Sequence, residues 1–274
     1  MSKLAQVLAA LHKPSQPLIL PNIYDLPSLY AILSLNTSTS QPVKAIATAS
    51  WGIAATLGIA DEDLTAEQNI AFIERIAATV KEAGLPLSAD LQDGYGERIG
   101  EIVTKAVRLG VHGGNIEDAL PGRGRDQSIE GALYPVDEQV ERLKTALKAA
   151  ADAGCPDFVL NARTDVFLLE GLSDDVKMRE AVRRGKAYLA AGATTVFVWG
   201  GARGLRDEEV KTLAREFEGR LAVKLSMGQE ALSTTQVADL GVARISVGPS
   251  LYRVAMHAIK KSAMDILQGD RLVL

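Results

Sequence analysis

Short apolar runs alternate with helix-period segments from one end of this chain to the other. Eight runs read as buried strands: residues 18–20, 45–48, 87–91, 113–116, 158–161, 195–198, 221–223 and 244–247. They are continuous in apolar character, as strands covered on both faces must be. Eight segments with 3.6-residue apolar spacing follow them: 27–35, 66–83, 99–109, 136–153, 175–190, 207–217, 229–240 and 249–267. The opening MSKLAQVLAALHK reads as a first amphipathic helix and not as a signal peptide.

Glycine punctuates this pattern. Gly84, Gly110, Gly154, Gly192 and Gly241 each close a helical segment just before a run, where a left-handed residue ends a helix at little cost. The recurrence is a weak internal repeat of a βα unit. Strands and helices in alternation predict a parallel sheet covered by helices. Eight such units in 274 residues predict a (β/α)8 TIM barrel, one domain over 1–274. A doubly wound open sheet is the rival; its usual glycine-rich turn after the first strand is missing from ILPNIYD. The polar stretch 36–41 reads as a surface loop.

Composition narrows the function. A chain of 274 residues, 47% of them hydrophobic, buries roughly three-quarters of its unfolded surface. Net charge is −4 and no basic run occurs, which argues against a nucleic-acid partner. No apolar run approaches the ~18 residues of a membrane span, so no membrane partner is expected. A single cysteine, Cys155, rules out an internal disulfide and fits a reducing, cytoplasmic setting.

In a barrel the chemistry lies at the carboxyl ends of the strands. Those ends read TASWG (48–52), ADLQD (89–93), NIED (115–118), NARTD (161–165), WGG (199–201), VKLS (223–226) and SVGPS (246–250). Strands two to five are neighbours, and their ends gather a hydroxyl-bearing loop, several carboxylates and one arginine. Such hard oxygen donors suit Mg2+ or Mn2+. Asp90 and Glu117 are the leading ligand candidates, because a carboxylate inside an apolar run needs a partner or a metal. Arg163 is placed to grip a substrate carboxylate with two parallel hydrogen bonds. Glu117 has a second reading as an ion-pair partner of Arg163. Asp93 and Asp118 read as caps of the helices that follow, and Asp165 as a cap or turn residue. His112 and Cys155 precede their strands, on the face away from chemistry. Trp51 and Trp199 read equally as packing or as pocket walls. Lys224 reads as a surface lysine or as a Schiff-base amine.

Five of these pieces, in order, resemble the isocitrate lyase/phosphoenolpyruvate mutase superfamily: ATASWGIAATLGIAD (47–61), SADLQDGYG (88–96), GGNIED (113–118), NARTD (161–165) and LGVARISVGPSLYR (240–253). The resemblance implies a (β/α)8 barrel, commonly a homodimer or homotetramer that swaps its last helix. It implies cleavage or formation of a C–C or P–C bond beside a 2-oxo acid, through an Mg2+-stabilised enolate. The family's carboxylate-cradling loop falls on Ala49, Ser50 and Trp51, and its acid after the LG pair on Asp61. Its metal carboxylate falls on Asp90, its water-holding glutamate on Glu117 and its strand-five arginine on Arg163. Asn161 and Trp199 join these as substrate contacts.

Two departures from the family pattern shape the expected activity. The family's second acid, two residues after the first, is here Gln92, an amide that can ligate but removes a negative charge. The loop after NIED reads ALPGRGRDQSIEG (119–131) and lacks the Lys-Arg-Cys-Gly-His motif of the lyases and the lysine and asparagine of the mutases. Arg123 and Arg125 remain there, suited to closing over an anion. The expected activity is a metal-dependent lyase or decarboxylase acting on a small 2-oxo or 2-hydroxy dicarboxylic acid, with Mg2+ at Asp90, Gln92 and Glu117. Tyr24 is the candidate proton donor. The alternatives are a Schiff-base aldolase using Lys224 and a non-catalytic descendant that only binds an oxo acid.

Overall fold

Pro21 decides how the sheet begins. It has no N–H to give a ladder, so the first apolar run divides into β1 (Leu18–Leu20) and β2 (Asn22–Ile23). The remaining strands are β3 (Ile46–Thr48), β4 (Leu87–Asp90), β5 (Gly113–Glu117), β6 (Val159–Thr164), β7 (Thr195–Val198), β8 (Leu221–Lys224) and β9 (Arg244–Ser246). The structure, a computed structural model, describes residues 2–125, 128–201, 203–228, 231–269 and 271–272.

All ladders are parallel, in the order β1-β9-β8-β7-β6-β5-β4-β3-β2. β1 pairs with β9 and β2 with β3, and only Pro21 separates the two, so the sheet closes on itself. The result is the (β/α)8 barrel that the sequence pattern predicts.

The helices are α1 (Ser2–Ala10), α2 (Leu26–Leu33), α3 (Ser50–Leu57), α4 (Ala66–Glu82), α5 (Ile99–Arg108), α6 (Ile129–Ala132), α7 (Val136–Asp152), α8 (Asp174–Ala190), α9 (Asp207–Glu216), α10 (Thr234–Asp239) and α11 (Ser250–Leu267). α5 shows the logic of the outer ring. Ile99, Ile102, Val103, Ala106 and Val107 form its buried stripe, each larger member contributing about 1.5–3 kcal/mol of burial. Its polar face carries Arg98, Glu101 and Lys105 in exposed ion pairs. Side-chain caps start α2 at Asp25, α4 at Thr65, α8 at Ser173 and α10 at Ser233.

Three departures from the sequence reading matter. α3 begins directly after β3, where a loop is expected. β6 runs on to Thr164, so most of NARTD lies inside the strand. The predicted helix over 229–240 contracts to Thr234–Asp239, and its first residues, Gln229 and Glu230, lie outside the described residues.

The barrel interior is layered. At the amino-terminal end, Leu18, Leu20, Ala45, Ala47 and Val159 pack with Leu8 of α1, which stops that opening. Above them lies a buried polar layer. Thr195 donates to Asn161 at 2.6 Å, Asn161 to Asn115 at 2.8 Å, and Arg244 to Asn115 at 3.1 Å. The carboxyl ends of the strands stand above this layer. Among the described residues, no helix is long and apolar enough to cross a membrane.

Candidate active site

Asp90 ends β4 beside the first turn of α3. The backbone N–H and the hydroxyl of Ser50 both donate to its Oδ2, each at 3.1 Å. The start of a helix carries free N–H groups and a positive dipole end, so a carboxylate is at home there. Asp90 is tied through its backbone too, its N–H donating to Thr48 Oγ1 at 2.8 Å and its carbonyl accepting from Asn69 Nδ2 at 2.9 Å.

The chain turns sharply after Asp90. Gln92 and Tyr95 have φ of +52° and +60°, with Gly94 and Gly96 also in the left-handed region. Non-glycine residues are rarely held there. Asp93 locks the turn, accepting from the N–H groups of Tyr95 and Gly96 at 2.9 Å each and from the Tyr134 hydroxyl at 3.0 Å, with Arg142 at 3.3 Å. Asp93 is therefore the clamp of a turn and does not cap a helix. The turn aims Gln92 at Asp61: Nε2 donates to the Asp61 carbonyl at 2.7 Å and to its Oδ1 at 3.2 Å. Burial and the neighbouring Asp90 raise the pKa of Asp61 above its usual range.

Glu117 ends β5, and Arg163 lies opposite it on β6. Arg163 Nη1 reaches Glu117 at 2.8 Å, while Nε and Nη2 donate to the two Asp165 oxygens at 2.6 and 2.7 Å. The expected two-pronged grip thus falls on Asp165, a neighbour in the chain; Asp165 stands at the N-cap of the short turn 166–168, as expected, but its side chain gives that turn no hydrogen bond. Trp199 covers the guanidinium at 4.3 Å. Burial raises the Glu117 pKa well above its usual range; Arg163 opposes this, and Asp165, Asp90 and Asp61 push it further up. Burial works against the charge of Arg163, but Asp165 and Glu117 outweigh it and hold its pKa above the usual value.

One corner of the mouth therefore carries Asp61, Asp90, Glu117 and Asp165 with Arg163 among them. Among the described residues, no three acid, histidine or cysteine groups stand close enough to hold a metal unaided. The donor set still fits a hydrated Mg2+, which keeps several waters and takes few carboxylates. The mutual repulsion of Asp61, Asp90 and Glu117 is what a divalent cation relieves. Gln92 commits its nitrogen to Asp61, which leaves Oε1 as a neutral oxygen donor.

The other candidates separate. Of the expected cradle, the Ala49 N–H goes to the Ile23 carbonyl at 3.2 Å and the Ser50 N–H to Asp90. The Trp51 N–H, in the first turn of α3, is the remaining member. Asn161 sits a layer below the mouth, buried and hydrogen-bonded at both ends of its amide, out of reach of a substrate. Tyr24 is buried against Gly52 and meets Tyr252 edge-on at 5.1 Å. Arg123 and Arg125 are exposed on the 119–131 loop, whose Asp126 and Gln127 lie outside the described residues. Asp118 is fully buried, accepting from Tyr188 at 2.7 Å and pairing with Arg184 at 3.1 Å. Its other oxygen accepts from the Asp165 N–H at 3.0 Å, so Asp118 ties α8 to the end of β6 and its side chain caps no helix.

Residues 8–267 match the phosphoenolpyruvate phosphomutase family. An uncharacterised protein of Mycobacterium tuberculosis is 28% identical over 263 residues, which span 96% of this chain and 89% of that one. The oxaloacetate decarboxylase of Ectopseudomonas mendocina is 29% identical over 204 residues, 73% of this chain and 63% of its own. A crystal structure from Burkholderia cenocepacia J2315, provisionally named a phosphonomutase, superimposes with a TM-score of 0.81 at 32% identity, covering 94% of this chain and 98% of that one.

Proposed function

This chain belongs to the phosphoenolpyruvate phosphomutase family, and from that premise we propose that it is a metal-dependent lyase or decarboxylase. Its substrate is a small 2-oxo or 2-hydroxy dicarboxylic acid, in which it breaks a carbon–carbon bond. The observation that carries this reading is the acidic corner at the ends of β4 and β5, with Ser50 orienting Asp90 and Arg163 orienting Glu117. The likeness to an oxaloacetate decarboxylase supports it.

Asp90, Gln92 Oε1 and Glu117 would hold Mg2+ or Mn2+. The cation, when bound, supplies positive charge where negative charge gathers on an oxo acid. The chain's own groups do the rest. Ser50 fixes the Asp90 carboxylate from two sides. Asp61 fixes Gln92. The Trp51 N–H and the Trp199 face border the space for a substrate carboxylate. Arg123 and Arg125 stand on the loop that would close over it. As the C–C bond breaks, its electron pair stays with the oxo-acid fragment as an enolate, which then takes one proton at carbon. Tyr24 is the proposed donor: burial, with Asp25 and Tyr252, raises its phenol pKa and keeps it protonated.

A homodimer or homotetramer is the proposed working form. α11 has no buried residue and exposes Val254, Ile259, Ile266 and Leu267, an apolar face that a second copy would cover.

The test is oxaloacetate turnover before and after treatment with a strong chelator. Loss of activity, restored by Mg2+, is the expected result. Full activity after complete metal removal would refute the proposal.

A further inference from the structure

Arg244 begins β9 and is fully buried, with its guanidinium inside the barrel, in the polar layer beneath the mouth. Its hydrogen bonding is thin. Nη2 donates to Asn115 Oδ1 at 3.1 Å and to Ser88 Oγ at 3.4 Å, and Nε to Ser246 Oγ at 3.4 Å. Nη1 has no partner among the described residues. All three acceptors are neutral. A buried cation so poorly served is costly, and an apolar side chain of similar volume would fill the same space. Burial brings its pKa down only to about 10, with Asp90 opposing, so the charge persists at neutral pH.

The two anchors of Nη2 show what this charge faces. Ser88 precedes Asp90 by two residues on β4, and Asn115 precedes Glu117 by two on β5. Asn115 is also the register partner of Asp90. Residues two apart on a strand share a face, so Asp90 and Glu117 stand one side-chain layer above the guanidinium, about 7 Å of strand rise. The corner above holds Asp61, Asp90, Glu117 and Asp165. Its own guanidinium, Arg163, pairs with Glu117 and Asp165, whereas Asp90 accepts from Ser50. The charge of Arg244 is felt below as well, where it lowers the pKa of His12.

We propose that Arg244 is a positioning residue for the acidic corner: a fixed counter-charge, one layer down, that holds Asp90 and Glu117 together in the metal-free protein and loosens the grip on a divalent cation. The proposal rests on the metal reading above and adds to it a residue that touches neither metal nor substrate. Both effects follow from charge alone. A positive charge that never leaves offsets the repulsion between neighbouring carboxylates. The same charge repels an incoming cation, so Mg2+ binds less tightly than the carboxylates by themselves would dictate.

Two measurements test this. The first titrates MgCl2 into wild type, Arg244→Met and Thr195→Val by calorimetry. Arg244→Met should bind Mg2+ about tenfold more tightly. Thr195→Val disturbs the same polar layer by breaking the bond to Asn161 but removes no charge, and should bind as wild type does. Equal affinity in wild type and Arg244→Met, or an equal gain in both variants, overturns the proposal. The second compares urea midpoints in chelator for wild type, Arg244→Met, Asp90→Asn and the double variant. Asp90→Asn should raise the midpoint more, or lower it less, in the Arg244→Met background than in wild type. It should also give the double variant a cooperative transition even where Arg244→Met alone shows none. The same shift in both backgrounds, or no folded protein in either Arg244→Met variant, overturns the counter-charge. If wild type takes up no Mg2+, the metal reading fails and the second measurement decides the role of Arg244 by itself.

Discussion

Arg163 and Asp165 face one another across two residues of one strand end, joined by two hydrogen bonds of 2.6 and 2.7 Å. The remaining nitrogen, Nη1, holds Glu117 at 2.8 Å. One guanidinium thus balances two carboxylates in a largely buried place. Truncating it would leave both acids without a partner, so Arg163→Met should lose about 3–5 kcal/mol of stability. Urea unfolding checks this. Adding Glu117→Gln and Asp165→Asn to that variant should recover part of the loss, because the uncompensated charges are removed with it.

Gln92 offers a change with two opposite signs. Gln92→Glu keeps the shape and adds a carboxylate. Mg2+ affinity should rise about tenfold, since ligand charge tunes such sites. The metal-free protein should lose about 1–2 kcal/mol, because the amide that now donates to Asp61 at 3.2 Å would become a second acceptor beside it. Calorimetric titration with Mg2+ and thermal unfolding in chelator read the two effects separately.

His12 gives the fold a one-sided pH response. Its Nδ1–H donates to the Leu8 carbonyl at 2.7 Å, and Nε2 is buried without a partner. Burial, then the charge of Arg244, lowers its pKa to about 4. The unfolded chain takes up a proton near pH 6.5, and the folded protein refuses it until about 4. Stability from this residue is therefore complete above pH 6.5 and declines as pH falls to about 4, by about 3 kcal/mol in all. Melting temperatures of wild type and His12→Gln should converge across that interval as pH is lowered.

Gly52 lets Tyr24 lie against the first turn of α3. A Cβ there would stand 2.7 Å from the Tyr24 Cβ. Gly52→Ala should cost about 1–3 kcal/mol through overpacking and should move Tyr24 relative to the mouth. Combined with Tyr24→Gly, which removes the opposing Cβ, it should cost less than the sum of the two single changes, a coupling that a double-mutant cycle measures.

The barrel was legible because its signals are local. Apolar runs, helical spacing and the glycines after helices all act within a few residues. α3 escaped because its eight residues follow a strand without a turn and include Gly52. Asp93 and Asp118 were misread for the opposite reason. Arg142 and Tyr134 reach Asp93 from α7 and the chain just before it, and Arg184 and Tyr188 reach Asp118 from 66 and 70 residues away. No spacing rule announces such partners. The Arg163–Asp165 pair escaped the strand rule, because β6 stops at Thr164 and Asp165 already stands in the turn that follows, with ψ of 14°.

The divided first strand carries a consequence for how the molecule assembles. Asn22 accepts hydrogen bonds from Val247 and Gly248, 225 and 226 residues further along the chain. During synthesis, the earliest strand must wait with one flank bare until nearly the whole polypeptide has emerged. The cost of joining such distant segments falls on the final closing event. That seam on either side of Pro21 should be the last to zip on refolding and the first place where protection from hydrogen exchange is lost.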